Sequence, residues 1–161
     1  MKVLVTVGSM VEKRFTRLFK IIDELCEENI LDGSKVIAQV GFEDYKARYY
    51  KTFDMIEDDK FKKLINDSDL IISHAGTGTV IPCLKKGKKV IIFPRLVKYN
   101  EHYDDHQLEL AELFTKNNHV MCAKNKRELI KCIKELDSFI PEKFVSNNSK
   151  INNLVIDFIE K

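Results

Sequence analysis

The chain has 161 residues, 44% of them apolar and 32% charged, with 27 Lys and Arg against 25 Asp and Glu. That length fits one domain able to bury a core without disulfide or metal staples. A net charge of +2 argues against a nucleic-acid partner, whose groove needs a marked basic excess, and no apolar run approaches the roughly 18 residues of a membrane span.

Residues 3–7 read as a first strand rather than a secretory signal, and Gly8-Ser9 closes it. Phe15, Leu18, Phe19, Ile22, Leu25 and Cys26 then recur at helical spacing. Gly33-Ser34 breaks that helix; residues 35–40 read as a second strand and 49–55 as a third, less apolar one. A helix over 57–66 carries Phe61, Leu64 and Ile65 on one side, and residues 69–73 form a fourth strand. A glycine loop and a short helix lead to the turn at Gly87, and residues 89–93 give a fifth strand closed by Pro94. A polar loop over 95–103 precedes a helix marked by Leu108, Ala111 and Phe114. Residues 119–122 read as a sixth strand, and Leu129, Ile130, Ile133 and Leu136 mark another helix. Residues 141–161, with Ile151, Leu154, Val155 and Phe158, read as a helical appendage to a single domain spanning the whole chain.

Strands alternating with helices imply βαβ units and a mostly parallel sheet. Right-handed crossovers favour an α/β, Rossmann-like doubly wound layer. If the strand order is 3-2-1-4-5-6, strands one and four are neighbours at the switch point. Ligands then bind between the loops that follow them, Gly8-Ser9 and His74-Ala75-Gly76-Thr77-Gly78-Thr79. Glycine lets the backbone approach a ligand, and a helix N-terminus with free N–H groups suits a phosphate or pyrophosphate. The competing reading is a tight strand–helix turn that binds nothing. The spacing matches neither G-x-G-x-x-G nor a Walker loop, which argues against a dinucleotide enzyme and against ATP hydrolysis. Ser73 and His74 are adjacent in an extended strand and point to opposite faces, so they make no nucleophile–base pair.

After the fifth strand come His102, Tyr103, Asp104, Asp105, His106 and Gln107. The two histidines have zincin spacing, but Tyr103 stands where a glutamate is needed, so no metal site is expected. Asp104 through Gln107 reads as a capping box for the next helix. Alternatively, Asp105, His106 and Gln107 offer directed hydrogen bonds to a ligand rich in hydroxyls, such as a sugar. The basic run Lys85-Lys86-Gly87-Lys88-Lys89 fits a helix C-terminus, with anionic lipid headgroups as the minority reading. Tyr45, Tyr49 and Tyr50 read as half-buried strand residues, with a protein interface as the other option. Cys26, Cys83, Cys122 and Cys132 form no C-x-x-C pair, which fits a reduced, cytoplasmic protein.

Three segments in order, Ser73 to Thr79, Gly87 to Arg95 and Asp104 to Glu109, resemble family 28 glycosyltransferases, and the likeness runs roughly over residues 3–120. More narrowly they resemble the small subunits of split enzymes in bacterial exopolysaccharide and capsule synthesis, the PssE/EpsF type. A eukaryotic relative of that type is the small subunit of a two-part N-acetylglucosaminyltransferase acting on dolichol-linked sugar, and the full-length relative is MurG. The resemblance implies the donor-binding, C-terminal-type half of a GT-B enzyme. A membrane-associated partner would supply the acceptor half and recruit this chain to the cytoplasmic membrane face. It implies a UDP-sugar as donor substrate, a lipid-linked saccharide as acceptor, and no tightly bound cofactor or metal. Gly8 and Ser9 would line the crevice, His74, Ala75, Gly76, Thr77, Gly78 and Thr79 would hold the diphosphate, and Asp105 and Gln107 would contact the sugar. Many relatives carry a ribose-binding glutamate where this chain has Pro82, so uridine recognition is expected to rest on other groups; proline itself is tolerated in a helix's first turn. No general base is evident. The partner is expected to supply it, with His74 and His106 as minor candidates. The alternative expectation is a non-catalytic enhancer subunit that stabilises a membrane-bound glycosyltransferase.

Overall fold

A computed structural model describes residues 1–10 and 12–145. Six parallel strands form one sheet in the order β3-β2-β1-β4-β5-β6. They are β1 (Val3–Thr6), β2 (Val36–Gln39), β3 (Lys51–Phe53), β4 (Leu70–Ser73), β5 (Lys89–Ile92) and β6 (Met121–Cys122). The helices are α1 (Thr16–Glu27), α2 (Asp58–Asp67), α3 (Thr77–Lys85), α4 (His106–Lys116) and α5 (Lys126–Glu135). This is the doubly wound α/β layer expected from the alternation of strands and helices.

The period-2 alternation of the central strands divides the core between two faces. Val3 and Val5 of β1 pack with Leu18, Phe19, Ile22 and Leu25 of α1 and Leu129 of α5. Leu4 turns the other way, toward Ile65 of α2, Val80 and Cys83 of α3, and Ala111 and Phe114 of α4. Each such Leu, Ile, Val or Phe contributes about 1.5–3 kcal/mol on burial, so both faces must be covered, and the strands read as continuous apolar runs. The edges behave differently. In β3, Lys51 and Thr52 are exposed, and the strand is three residues long, not the seven expected. At the opposite edge β6 has only two residues. Edge strands this short, one of them carrying the exposed Lys51, offer little to a foreign strand.

The connections show where local patterns lose to tertiary demand. The hydroxyls of Tyr45, Tyr49 and Tyr50 donate to Asp23, Glu27 and the Phe19 carbonyl, so all three tyrosines fasten the β2–β3 crossover to α1. The basic run serves carbonyl and amide oxygens around nearby helix ends. Lys86 Nζ donates to Asn66 Oδ1, Lys88 Nζ to the carbonyls of Asn66 and Ser68, and Lys89 Nζ to the Leu136 carbonyl. The 95–103 loop is not simply polar: Arg95, Leu96 and Glu101 are buried, and a 3-10 turn spans Val97–Tyr99. Pro82 is the sixth residue of α3, past the first turn where we expected it. Its missing N–H leaves the Gly78 carbonyl without the usual i+4 donor. Residues 141–145 form no helix, and the rest of the expected appendage lies outside the described residues.

Candidate active site at the carboxyl edge

In register, Thr6 pairs with Ser73, so β1 and β4 end side by side at the switch point. The two glycine loops therefore face each other, and one side chain lies between them. A Cβ built on Gly8 would stand 2.7 Å from His74 Cε1, and one on Gly76 would stand 2.1 Å from His74 Nε2. Gly8 also has φ of +73°, a conformation that disfavours any residue with a Cβ. A side chain at either glycine would have to displace the His74 ring.

His74 is held by its own N–H to the Thr6 carbonyl (3.4 Å), and Ser73 Oγ lies 3.4 Å from Nδ1. Desolvation, then the Arg95 charge, push the imidazole down to about 4, so it is neutral at pH 7. A neutral imidazole can donate one hydrogen bond to an anion. As a general base such a group is poorly matched to neutral pH.

Gly76 is the N-cap of α3, and no side chain caps this helix. Among the described residues, the amides of Thr77 and Gly78 have no protein acceptor. The other four helices carry acceptors or acidic residues at this end. At α1 the Glu43 carboxylate accepts from Phe15 N and from Thr16 Oγ1 (2.8 Å). At α2 Asp58 and Asp59 lie in the first turn, and at α4 Asp104 Oδ1 accepts from His106 N at 3.1 Å. At α5 Asn125 Oδ1 accepts from Glu128 N at 3.0 Å. The first glycine loop therefore leads to a helix already neutralised by Glu43. The second leads to one whose positive end has no acidic residue in its first turn.

Gln107 joins the two predicted clusters, but not as expected. It is 6% exposed, and its Oε1 accepts from Ala75 N (3.2 Å) and Arg95 N (2.9 Å). The capping box with Asp104 does not form. The amides just past β4 and β5 are buried side by side and need an acceptor, which outweighs an exposed cap. Gln107 is thus a clamp, and its carbonyl oxygen is not open to a sugar. Asp105 is exposed; its Oδ1 accepts from Val97 N at 3.4 Å, and it lines a hollow of about 190 Å³ with Leu96, Lys98, Leu108 and Lys124. Ser9 is exposed at the rim, Thr77 and Thr79 are half-buried, and Gly78 is exposed. Among the described residues no hydrogen bond links Asp105 to loop 74–79.

Three residues to which the sequence reading gave no role in the site set its walls. Arg17 of α1 grips Glu101 through two 2.7 Å bonds, and Glu101 Oε2 also accepts from Leu96 N at 3.0 Å. The Arg17 guanidinium lies 4.6 Å from the ring centres of both Phe93 and Tyr99. Arg95 crosses beneath the first loop to the Val7 carbonyl (3.1 Å). Arg95 closes the segment Gly87 to Arg95, yet nothing local shows that its charge reaches Val7 and Lys13 or that Arg17 grips Glu101, because those pairs are 82 to 88 residues apart.

Comparison with known proteins bears on the family and the fold. The family model "Glycosyltransferase family 28 C-terminal domain" matches residues 2–159. The chain is similar to the "UDP-N-acetylglucosamine transferase subunit ALG13" of Candida albicans, 41% identical over 86 residues, 53% of this chain and 24% of that protein. It is also similar to the subunit of that name from Homo sapiens, 32% identical over 73% of this chain and 10% of that protein. Against the Saccharomyces cerevisiae subunit it is 33% identical over 62% of this chain and 49% of that one. The chain thus spans half or less of these relatives' length. Among solved structures, an NMR structure of ALG13 superposes with a TM-score of 0.64 at 21% identity, covering 99% of this chain and 97% of that one. Acinetobacter baumannii MurG gives 0.57 at 19% identity, covering 85% of this chain and 40% of that one. These likenesses show a GT-B-type half. They also correct the narrower expectation: the relatives are of the N-acetylglucosamine transferase subunit type, not of the exopolysaccharide and capsule type. With nearly its whole length matched, this chain belongs to the glycosyltransferase family 28 C-terminal domain family.

Proposed function

We propose that the chain is the donor-binding half of a two-chain glycosyltransferase that moves N-acetylglucosamine from its UDP donor to a lipid-linked acceptor. The observation that carries this reading is the uncapped N-terminus of α3, set beside a neutral histidine between two glycines. The diphosphate sits on the amides of Thr77 and Gly78, with the Thr77 and Thr79 hydroxyls and the His74 ring as further donors. Gly8 and Ser9 form the opposite lip, and Gly76 and Ala75 give the backbone its close approach. As the glycosidic bond breaks, negative charge grows on the departing diphosphate, and the preorganised donors and helix dipole stabilise it. Asp105 orients the sugar from the rim. Gln107 contributes by fixing Ala75 and Arg95, and reaches the sugar through its amide nitrogen only.

His74, at about 4, is a weak base, so the group that takes the acceptor's proton belongs to the partner chain. That partner also brings the lipid-linked acceptor and holds this chain at the membrane. Among the described residues no helix is long and apolar enough to cross a bilayer.

The test uses Gly78, where an added Cβ meets nothing within 4 Å. Gly78→Asp places a carboxylate in the first turn of α3 without a clash, a position that favours the helix itself. Calorimetry should show UDP and UDP-N-acetylglucosamine binding to the wild type and none to G78D, with thermal stability kept. Unchanged UDP affinity in G78D would refute the site. An enhancer subunit without a donor site would give no binding heat in either protein.

A further inference from the structure

Arg95 is a buried cation that lacks a carboxylate in hydrogen-bonding contact. It is 1% exposed, and its bonded partners are main-chain carbonyls: Nη1 to Lys13 (2.9 Å) and Glu101 (3.3 Å), Nη2 to Val7 (3.1 Å). Its Nε is buried without a hydrogen-bond partner among the described residues. The guanidinium carbon lies 4.6 Å from the centre of the Phe15 ring. The nearby acids are committed elsewhere, Glu101 to Arg17 and Glu43 to the start of α1. A charge removed from water without a bonded counter-ion is costly; burial lowers the Arg95 pKa, and the charges of Glu43 and Glu101 offset that only in part.

The position of this charge accounts for it. Its carbonyl partners lie in the β1–α1 loop (Val7, Lys13) and the β5–α4 loop (Glu101), which flank the β4–α3 loop. Val7 adjoins Gly8, whose Cβ position abuts the His74 ring, and Arg95 N shares the Gln107 oxygen with Ala75 N. The charged or polar groups acting on His74 are Arg95 and His102 from the β5–α4 loop, the Thr6 carbonyl from β1 and the Ser73 hydroxyl from β4.

We infer that Arg95 is a positioning residue of the donor crevice, tying its two flanking loops together and supplying a buried positive charge whose counter-ion is the donor's diphosphate. This rests on the donor-half reading above, and deepens it. The free protein keeps a neutral imidazole and a guanidinium beneath the glycine loops whose nearby acids, Glu43 and Glu101, are bonded to other groups, and the anion adds the missing direct counter-charge when it binds.

Calorimetry of the full chain with UDP and with uridine separates this from a scaffolding role. The wild type should bind both, and Arg95→Met should weaken UDP at least about tenfold while leaving uridine within about twofold. Arg95→Lys, which keeps the charge, should recover most of the UDP affinity. Equal loss of UDP and uridine would mean a purely structural role, and no loss would mean no role; either overturns the inference. Should Arg95→Met fail to fold, salt dependence of the wild type decides. A buried charge is little screened, so UDP affinity should change less than about threefold between about 50 mM and about 0.5 M KCl, whereas a steep decline would assign the attraction to surface lysines. A wild type that binds UDP while Arg95→Met binds it equally well overturns the Arg95 role alone, and a wild type that binds no UDP removes the donor-half reading too.

Discussion

Gly76→Ala is the most direct probe of the crevice. Its Cβ would lie 2.1 Å from His74 Nε2, where ordinary contact begins near 3.4 Å, so the imidazole must be displaced by more than an ångström. The ring is hemmed in by the Gly8 loop on its other side, and such overpacking costs about 1–3 kcal/mol. His74→Ala alone removes the ring and opens a small void. The double variant should be more stable than the sum of the two losses predicts, with a coupling of about 1–3 kcal/mol. Gly8→Ala provides the internal contrast. Its clash is 2.7 Å, and removal of the ring should relieve that part only, because the left-handed backbone at φ of +73° retains a penalty of about 1 kcal/mol for any Cβ. Urea unfolding of the three single and two double variants, with equal m-values, measures these terms. If Gly76→Ala is as stable as the wild type, or its loss persists when His74 is alanine, the ring does not lie between the glycines and the reasoning fails.

Two further outcomes follow from the same region. His74 titrates near 4 in the folded chain against 6.5 when free, so between those values the unfolded chain holds a proton that the native chain lacks. Its contribution is complete above pH 6.5 and falls by about 3 kcal/mol as the pH drops to 4; unfolding midpoints measured across that window should decline more steeply in the wild type than in His74→Ala. Gln107→Leu removes the acceptor shared by the Ala75 and Arg95 amides and should cost about 2–5 kcal/mol. Hydrogen exchange should quicken at those two amides first; unchanged protection there would remove Gln107 from its clamping role.

The sheet was legible because its signals are local. Four or five apolar residues closed by Gly, Ser or Pro mark β1, β4 and β5, and the helical spacing of Phe15 to Cys26 gives α1 within a residue. The loops at the switch point followed from topology alone. What was not legible depends on groups that meet only after folding. Asp104 and Gln107 satisfy the capping-box pattern perfectly well, yet two buried amides 32 and 12 residues from Gln107 claim its oxygen. Arg95 looks like the start of a polar loop, and its burial rests on carbonyls 88 and 82 residues earlier. Glu43, between Phe42 and Asp44 in a polar turn, gives no sign that it caps a helix 27 residues before it. Each is a single side chain answering an unpaired main-chain group across the fold, and periodicity carries no information about such pairs.

The proline in α3 has a mechanical meaning. An ordinary helix braces its leading turn from behind, because the amide four places on pulls back on each carbonyl. Here that brace is missing at Gly78, since residue 82 has no hydrogen to offer. Gly78 also has no neighbour within 4 Å on its side-chain side. The leading turn is therefore held by one main-chain bond fewer at that carbonyl, while Val80, Cys83 and Leu84 keep the shank of the helix seated in the core.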